Sequence, residues 1–371
     1  MNKNINIIKI VACAITVVIL ATAFFVVPDK KLSQKENRTL AQIPKLSAKA
    51  LFSGEYTSDL ADYISDQFPN RDVFVATKAY SELVQGKKEN NGIIYGKKST
   101  LIARDDIVEN RLQENIAAVK DFQTSTGVSV TLAVLPRTID VYSERLPKSY
   151  PTQDNQTLWE NFYTQALSAG VKAPWLYDEL CDRDNYYLTD HHYNIDGAYQ
   201  TYVLLAKSLN YTPYDINYFN RETVSHDFCG TSMRVSGFYL AKKDKIDLLR
   251  YNGDAEYTVI ADDKQIELYD MSKLETTDKY AVFLGGNHAR VDVTSKEDKP
   301  NLLVIRDSFA DSIAPFLALH YDLIMIDLRY YTESVQQLVC DENIECVLIL
   351  ESMSEFATTK NISYLKLGVT K

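Results

Sequence analysis

Two groups of residues have the types and spacing that chemistry requires. Asp190, His191 and His192 stand together in "NYYLTDHHYNIDGAYQTY" (185–202), and Ser308 stands in "NLLVIRDSFADSIAPFL" (301–317). An Asp two residues before a His can hold one imidazole nitrogen, leaving the other to take a proton from a serine. Histidine is the side chain whose ordinary pKa suits that exchange near neutral pH, and a serine without such a base is a poor nucleophile. Ser308 follows an apolar run and precedes a helical pattern. Its oxygen would therefore lie beside the unpaired N–H groups of a helix start, which are donors for a tetrahedral oxyanion. The same position also suits a plain helix cap by Ser308 or Asp307.

Asp-His-His is equally a set of metal ligands, and a DHH signature marks a superfamily of manganese phosphoesterases. Those sites need further aspartate motifs at strand ends. Here the obvious Asp clusters are Asp105-Asp106 and Asp262-Asp263, neither placed at a convincing strand end. No metal is expected, and no cofactor motif is visible. A third reading has both histidines only hydrogen-bonding within a loop.

The elements that must position these groups have an α/β rhythm. "VSVTLAVLP" (128–136), "NLLVI" (301–305), "LIMID" (323–327) and "CVLIL" (346–350) are short apolar runs separated by helical patterns, as parallel strands with crossovers would be. In such sheets, functional groups gather beyond the carboxyl ends of the strands. Helices are predicted around 108–125, 155–169 and 194–210, the last capped by Asn194 or Asp196. "NGIIYGKKSTLI" (91–102) reads as a hairpin. Residues 51–86 are helical with a break at Phe68-Pro69-Asn70. Residues 211–300 carry short alternating runs, which suggests antiparallel hairpins.

Composition narrows the function classes. The chain has 371 residues, 46% hydrophobic, with a net charge of −10. A basic nucleic-acid-binding face is not expected. Tyrosine is abundant, at 25 residues, which suits an aromatic groove for sugars and a rich core alike. Ile10–Val27 is an uncharged apolar run at the short end of a bilayer span, read as a retained signal-anchor with the remainder outside the cytoplasm. Ala21-Thr22-Ala23 and Cys13 offer the competing readings of a cleaved leader and a lipoprotein. Cys181, Cys229, Cys340 and Cys346 lie beyond it and show no zinc-site spacing; Cys340 and Cys346 would bridge or stay free.

The order of the pieces resembles the SGNH hydrolases, begun late: a Pro-ended strand, Asp-x-His, then Asp-Ser and two further strand ends. A circular permutation would produce this order, and the chain is similar to the permuted SGNH-like domain of alginate-type O-acetyltransferases. Within that group it most resembles the DHHW family of bacterial cell-surface proteins, through "ENRTLAQIP", "YISDQFPNRD", "NGIIYGKKSTLI", "LPRTIDVYSERLP", "TDHHYNIDGA", "DFCGTSMRVSGF", "FLGGNHARV", "LLVIRDSFADSIAPFL" and "IDLRYY". The fourth letter of the signature is Tyr193 rather than Trp, and Arg306 stands where SGNH enzymes have Gly.

The resemblance implies an α/β, SGNH-like three-layer fold with a mostly parallel central sheet. It implies an anchor at 1–27, a stalk at 28–50 and a catalytic domain at 51–371, with 211–300 as a β-rich insertion. Ser308 would be the nucleophile, His192 the base and Asp190 its orienting partner. Arg329, Tyr330, Tyr331, Asn287, Arg306 and His191 would be oxyanion or substrate contacts or support. The implied activity is acetyl transfer to an exported polysaccharide at the bacterial cell surface, beside a membrane-bound O-acyltransferase that supplies the acetyl group. The alternatives are an acetylesterase using the same triad and a non-catalytic glycan-binding scaffold. A Ser308–His192 separation of about 2.6–3.2 Å favours the enzymes, and about twice that favours the scaffold.

Overall fold

The four apolar runs become neighbouring strands because each is hydrophobic on both faces. In the computed structural model, which describes residues 2–33, 38–151, 154–181 and 184–366, seven strands form the main sheet. They are β1 (Ser129–Leu135), β2 (Tyr257–Ala261), β3 (Lys264–Ile266), β4 (Arg290–Ser295), β5 (Asn301–Arg306), β6 (Asp322–Ile326) and β7 (Cys346–Ser352), in the spatial order β3-β2-β4-β6-β5-β7-β1. Along β5, Leu302 and Val304 face one core while Leu303 and Ile305 face the other, and all four are fully buried. Each such side chain contributes roughly 1.5–3 kcal/mol of burial. A polar substitution at any of them would break the centre of the sheet.

The sheet is mixed, which corrects the expectation of a mostly parallel one. β6, β5, β7 and β1 are parallel, whereas β4, β2 and β3 extend the β6 side antiparallel. The cause is connection length. Two residues join β2 to β3, and only a hairpin closes that fast, whereas parallel neighbours need a crossover. Residues 211–300 also supply a separate hairpin, Phe219–Phe228 with Asp244–Tyr251. The expected helices are present as α1 (Glu109–Thr126), α2 (Asn155–Ser168) and α3 (Ile195–Leu209), followed by α4 (Ala310–Leu317) after β5. The Asn194 side chain caps α3 by accepting from the Asp196 and Gly197 N–H groups.

The described chain divides into two units. The larger comprises Lys88–Ser236 and Leu240–Lys371 and contains the whole sheet. The smaller, Met1–Lys87 with Gly237–Tyr239, begins with the helix Asn2–Val26 and continues through Ala48–Ser53, Glu55–Gln67 and Arg71–Val84. The break between the last two falls at Phe68–Asn70, where Pro69 interrupts the hydrogen-bond ladder. Ile7–Val26, of mean hydropathy 2.6 and with none of it buried, is long and apolar enough to cross a membrane. No disulfide joins the five cysteines, so Cys340 and Cys346 do not bridge.

Candidate active site

The Asp-His-His segment is a tight loop locked at its base. Tyr186 and Tyr193 form an isolated bridge, the Tyr187 N–H donates to the His192 carbonyl, and the Asn194 N–H donates to the Asn185 carbonyl. Tyr186 also donates its hydroxyl to the Pro136 carbonyl, tying the loop to the end of β1. Asp244 clamps the opposite side through the Leu188 and Thr189 N–H groups and the Thr189 hydroxyl. Gly197 is required in the first turn of α3, because a Cβ there would lie 2.4 Å from the Asn185 carbonyl and 2.7 Å from the Tyr193 Cβ.

Within this loop Asp190 is almost fully buried and engages three donors. Its Oδ1 receives the His192 N–H at 3.0 Å and lies 2.6 Å from His192 Nδ1, while its Oδ2 receives the Thr231 N–H at 2.6 Å. Burial alone would raise its pKa. His191, His192 and the Thr231 N–H outweigh it and hold the carboxyl well below the usual range. An ionised carboxylate only accepts, so Nδ1 of His192 carries the proton and Nε2 presents its lone pair. Nε2 lies 2.7 Å from Ser308 Oγ. The structure therefore brings Asp190, His192 and Ser308 into one hydrogen-bond chain across 116 positions of sequence.

Ser308 sits just past the carboxyl end of β5 and is partly exposed. Asp307 does not cap α4. Its carboxylate accepts from the Phe309 and Ser352 N–H groups, fastening the turn to the end of β7. The Ser308 N–H has no hydrogen-bond partner among the described residues, which leaves it available to an oxyanion.

Several site residues were not legible from the sequence. The Tyr280 ring stacks on His192 at 3.9 Å and 10°, and its hydroxyl reaches the Ser308 carbonyl and the Ser312 hydroxyl. Gly230 packs against the back of Asp190, where a Cβ would lie 2.3 Å from the Asp190 Cβ. "FCGTS" offered the only signal, a glycine before a polar pair, without any indication of what it meets. Tyr193 is fully buried and donates its hydroxyl to the Phe309 carbonyl at 2.6 Å, joining the two halves of the site. An indole N–H would also be a donor, so the change in the fourth signature letter keeps the chemistry of that strut.

The remaining candidates fall into different places. His191 lies beside His192 with a side chain 39% exposed. Desolvation, His192 and the guanidinium groups of Arg234 and Arg329 lower its pKa to about 4, against the opposing pull of Asp190. Arg329 is half-buried and held in a two-pronged pair with Asp327. Tyr330 is exposed and lies under the Arg329 guanidinium, whereas Tyr331 is buried with its hydroxyl toward Glu333. Asn287 is exposed. Arg306 has no exposed side chain and lies 2.6 Å from buried Asp311, which places it inside the core rather than on an open wall of the site. Donor atoms of Asp190, His191 and His192 converge within 4.8 Å, as a metal site would require, but both ring nitrogens of His192 are already engaged.

Residues 113–326 fit the model of the DHHW protein family. The chain belongs to the DHHW family. Among curated relatives, the probable alginate O-acetylase AlgJ of Pseudomonas aeruginosa is 25% identical over 174 residues, 43% of this chain and 44% of that one. AlgJ of Pseudomonas putida is 24% identical over 183 residues, 46% and 48% of the two chains. The chain thus spans less than half the length of the curated relatives it matches. Among solved structures, a DHHW family protein from Eubacterium siraeum superposes with a TM-score of 0.63 at 16% identity, covering 76% of this chain and 98% of that one. Bacillus cereus PatB1 with a sulfonyl adduct gives 0.62 at 22% identity, covering 73% and 97%. The O-acetyltransferase domain of P. putida AlgJ gives 0.50 at 16% identity, covering 74% and 98%. This DHHW chain therefore shares the mixed α/β fold of those proteins.

Proposed function

We propose that this DHHW protein is an extracytoplasmic O-acetyltransferase that places acetyl groups on a cell-surface or exported polysaccharide. The observation that carries the proposal is the chain Ser308 Oγ, His192, Asp190 at 2.7 and 2.6 Å. The relatives named as alginate O-acetylases and as an O-acetyltransferase domain support the reaction class. In this reading the fold is a circularly permuted, three-layer SGNH domain, the helix Asn2–Val26 is a retained anchor, and residues 28–50 are its stalk.

Ser308 Oγ attacks the carbonyl carbon of an acetyl donor while its proton passes to His192 Nε2. Asp190 balances the imidazolium at Nδ1, and the Ser308 N–H faces the tetrahedral oxyanion. Collapse breaks the bond to the donor's leaving group, which takes the proton from His192, and an acetyl-serine remains. A glycan hydroxyl then gives His192 its proton and attacks the acetyl carbon. The Ser308 ester bond breaks, the proton returns to Ser308, and the acetylated sugar leaves. A membrane-bound O-acyltransferase would supply the donor. Ser308→Ala should reduce transfer at least 10³-fold without changing the melting temperature. A sulfonyl fluoride should modify Ser308 in the parent chain, read by mass spectrometry. Undiminished transfer in the variant sinks the mechanism, and acetate release at the same rate with and without glycan favours the esterase.

A further inference from the structure

The abundance of tyrosine is not accounted for by the triad. In the larger unit, a cavity of about 700 Å³ is lined by Tyr211, Tyr214, Tyr218 and His320. It adjoins a second of about 280 Å³, which shares Tyr214 and adds Tyr251 and Tyr257, and a third of about 420 Å³ continues from these last two. The three share these walls, and we read them together as one groove. Its first cavity lies at the opposite end of β5 from Ser308, since Pro300, just before the strand, is on the wall. The six residues of β5 span roughly 20 Å.

The rings along it are held ready. His320 stacks on Tyr211 at 4.5 Å and on Tyr214 at 5.5 Å, and its Nε2 is engaged with the Tyr202 hydroxyl at 2.8 Å. Tyr218 is 53% exposed. The Tyr257 hydroxyl, between the second and third cavities, is buried with no hydrogen-bond partner among the described residues. A buried hydroxyl left unpaired costs about 1–3 kcal/mol, so a ligand that offers a partner there is favoured. Flat aromatic faces beside hydroxyl groups fit the apolar faces and hydroxyl edges of pyranose rings. The cations along the groove are already neutralised: Lys296 pairs with Glu256, Lys299 with Glu297, and Arg250 with Glu222. Among the described residues lining the groove, a polyanion would have to displace these carboxylates to reach a cation.

We propose that this groove binds a neutral glycan, the acceptor chain of the transfer reaction, at a subsite separate from Ser308. The acceptor role rests on the proposed function, whereas the binding itself does not. The test is calorimetric titration of the full chain in detergent with cello-, manno- and N-acetylchito-hexaose, and with an oligoalginate as the polyanion. At least one neutral hexaose should bind, and Tyr218→Ala should weaken it about tenfold. Tyr257→Phe, which keeps the ring and removes the unpaired hydroxyl, should weaken it about threefold to tenfold with a melting temperature no lower than the parent's. Ser308→Ala should bind with the parent affinity. Binding by none of the neutral hexaoses, affinity unchanged in both tyrosine variants, or preference for the oligoalginate overturns the assignment. Loss of hexaose binding in Ser308→Ala also overturns it, because the groove would then not be separate. Acetyl transfer by Ser308→Ala would count against the triad and leave the groove standing.

Discussion

Replacing Asp190 by Asn changes one oxygen to an amide and keeps the shape of the side chain, so it isolates the charge and the hydrogen-bond sense. Asp190 receives two donors from His192 through one oxygen and the Thr231 N–H through the other. An amide has one accepting end. If that end faces His192, the NH₂ group opposes the Thr231 N–H across 2.6 Å, two donors with no acceptor between them. If it faces Thr231, the NH₂ group meets Nδ1, which must then accept, and Nε2 becomes the protonated nitrogen. Ser308 loses its base. The corresponding change in Ser–His–Asp proteases lowers kcat by about 10⁴, or about 5 kcal/mol of transition-state stabilisation. Lost donors to a buried carboxylate add a destabilisation of about 1–3 kcal/mol. The assay is turnover of a chromogenic acetyl ester with and without glycan, beside chemical denaturation of the same protein. We expect kcat to fall 10³- to 10⁴-fold with little change in KM. A fall of less than tenfold in a folded variant would refute the role assigned to Asp190.

Other perturbations test the supports. Gly230→Ala puts a methyl group against the Asp190 Cβ and the Thr189 carbonyl; it should cost about 1–3 kcal/mol and lower kcat, read by denaturation and ester turnover. Arg306→Met leaves Asp311 buried without its cation and should cost about 3–5 kcal/mol, whereas Arg306→Met with Asp311→Leu should recover most of it. Acid stability should follow the histidines. Desolvation first, with neighbouring cations, lowers both His191 and His320 to about 4, below the ordinary 6.5. At these two sites the unfolded chain therefore binds more protons between these values, so their contribution to stability is full above pH 6.5 and falls as the pH drops toward 4, whereas the buried Asp311 carboxyl, raised to about 7, slopes the other way. The histidine slope is read as the difference in denaturation midpoint between the parent and a His191→Gln, His320→Gln double variant, which should grow in the variant's favour as the pH falls from 6.5 to 4.

What the sequence made legible were features governed by local rules. Continuous apolar runs predicted β1, β5, β6 and β7, and their ends located Ser308, because a strand buried on both faces leaves no other pattern. Asn194 could be read as a cap because capping is decided within three residues. The alternation in 211–300 announced antiparallel hairpins, but not that β2, β3 and β4 would join the main sheet beside β6, because an alternating strand does not name its partner. Asp307 looked like a cap and instead fastens β5 to β7. That role depends on a strand end some 45 positions away. Tyr280, Gly230 and Thr231 act on Asp190 and His192 from distant loops, and no spacing in the chain announces such contacts.

The interval of 116 residues between His192 and Ser308 also has a consequence for how the chain comes into being. A polypeptide made or exported from its N-terminus presents the base first and the serine much later. Closing so long a loop is entropically unfavourable until the sheet repays it. β5, which delivers Ser308, lies between β6 and β7, both of which follow it in the chain. The nascent protein therefore carries an inert serine until nearly the last strand has been laid down. If the proposed mechanism holds, transfer activity arrives only with the completed fold, and a truncated or unfinished copy is chemically silent.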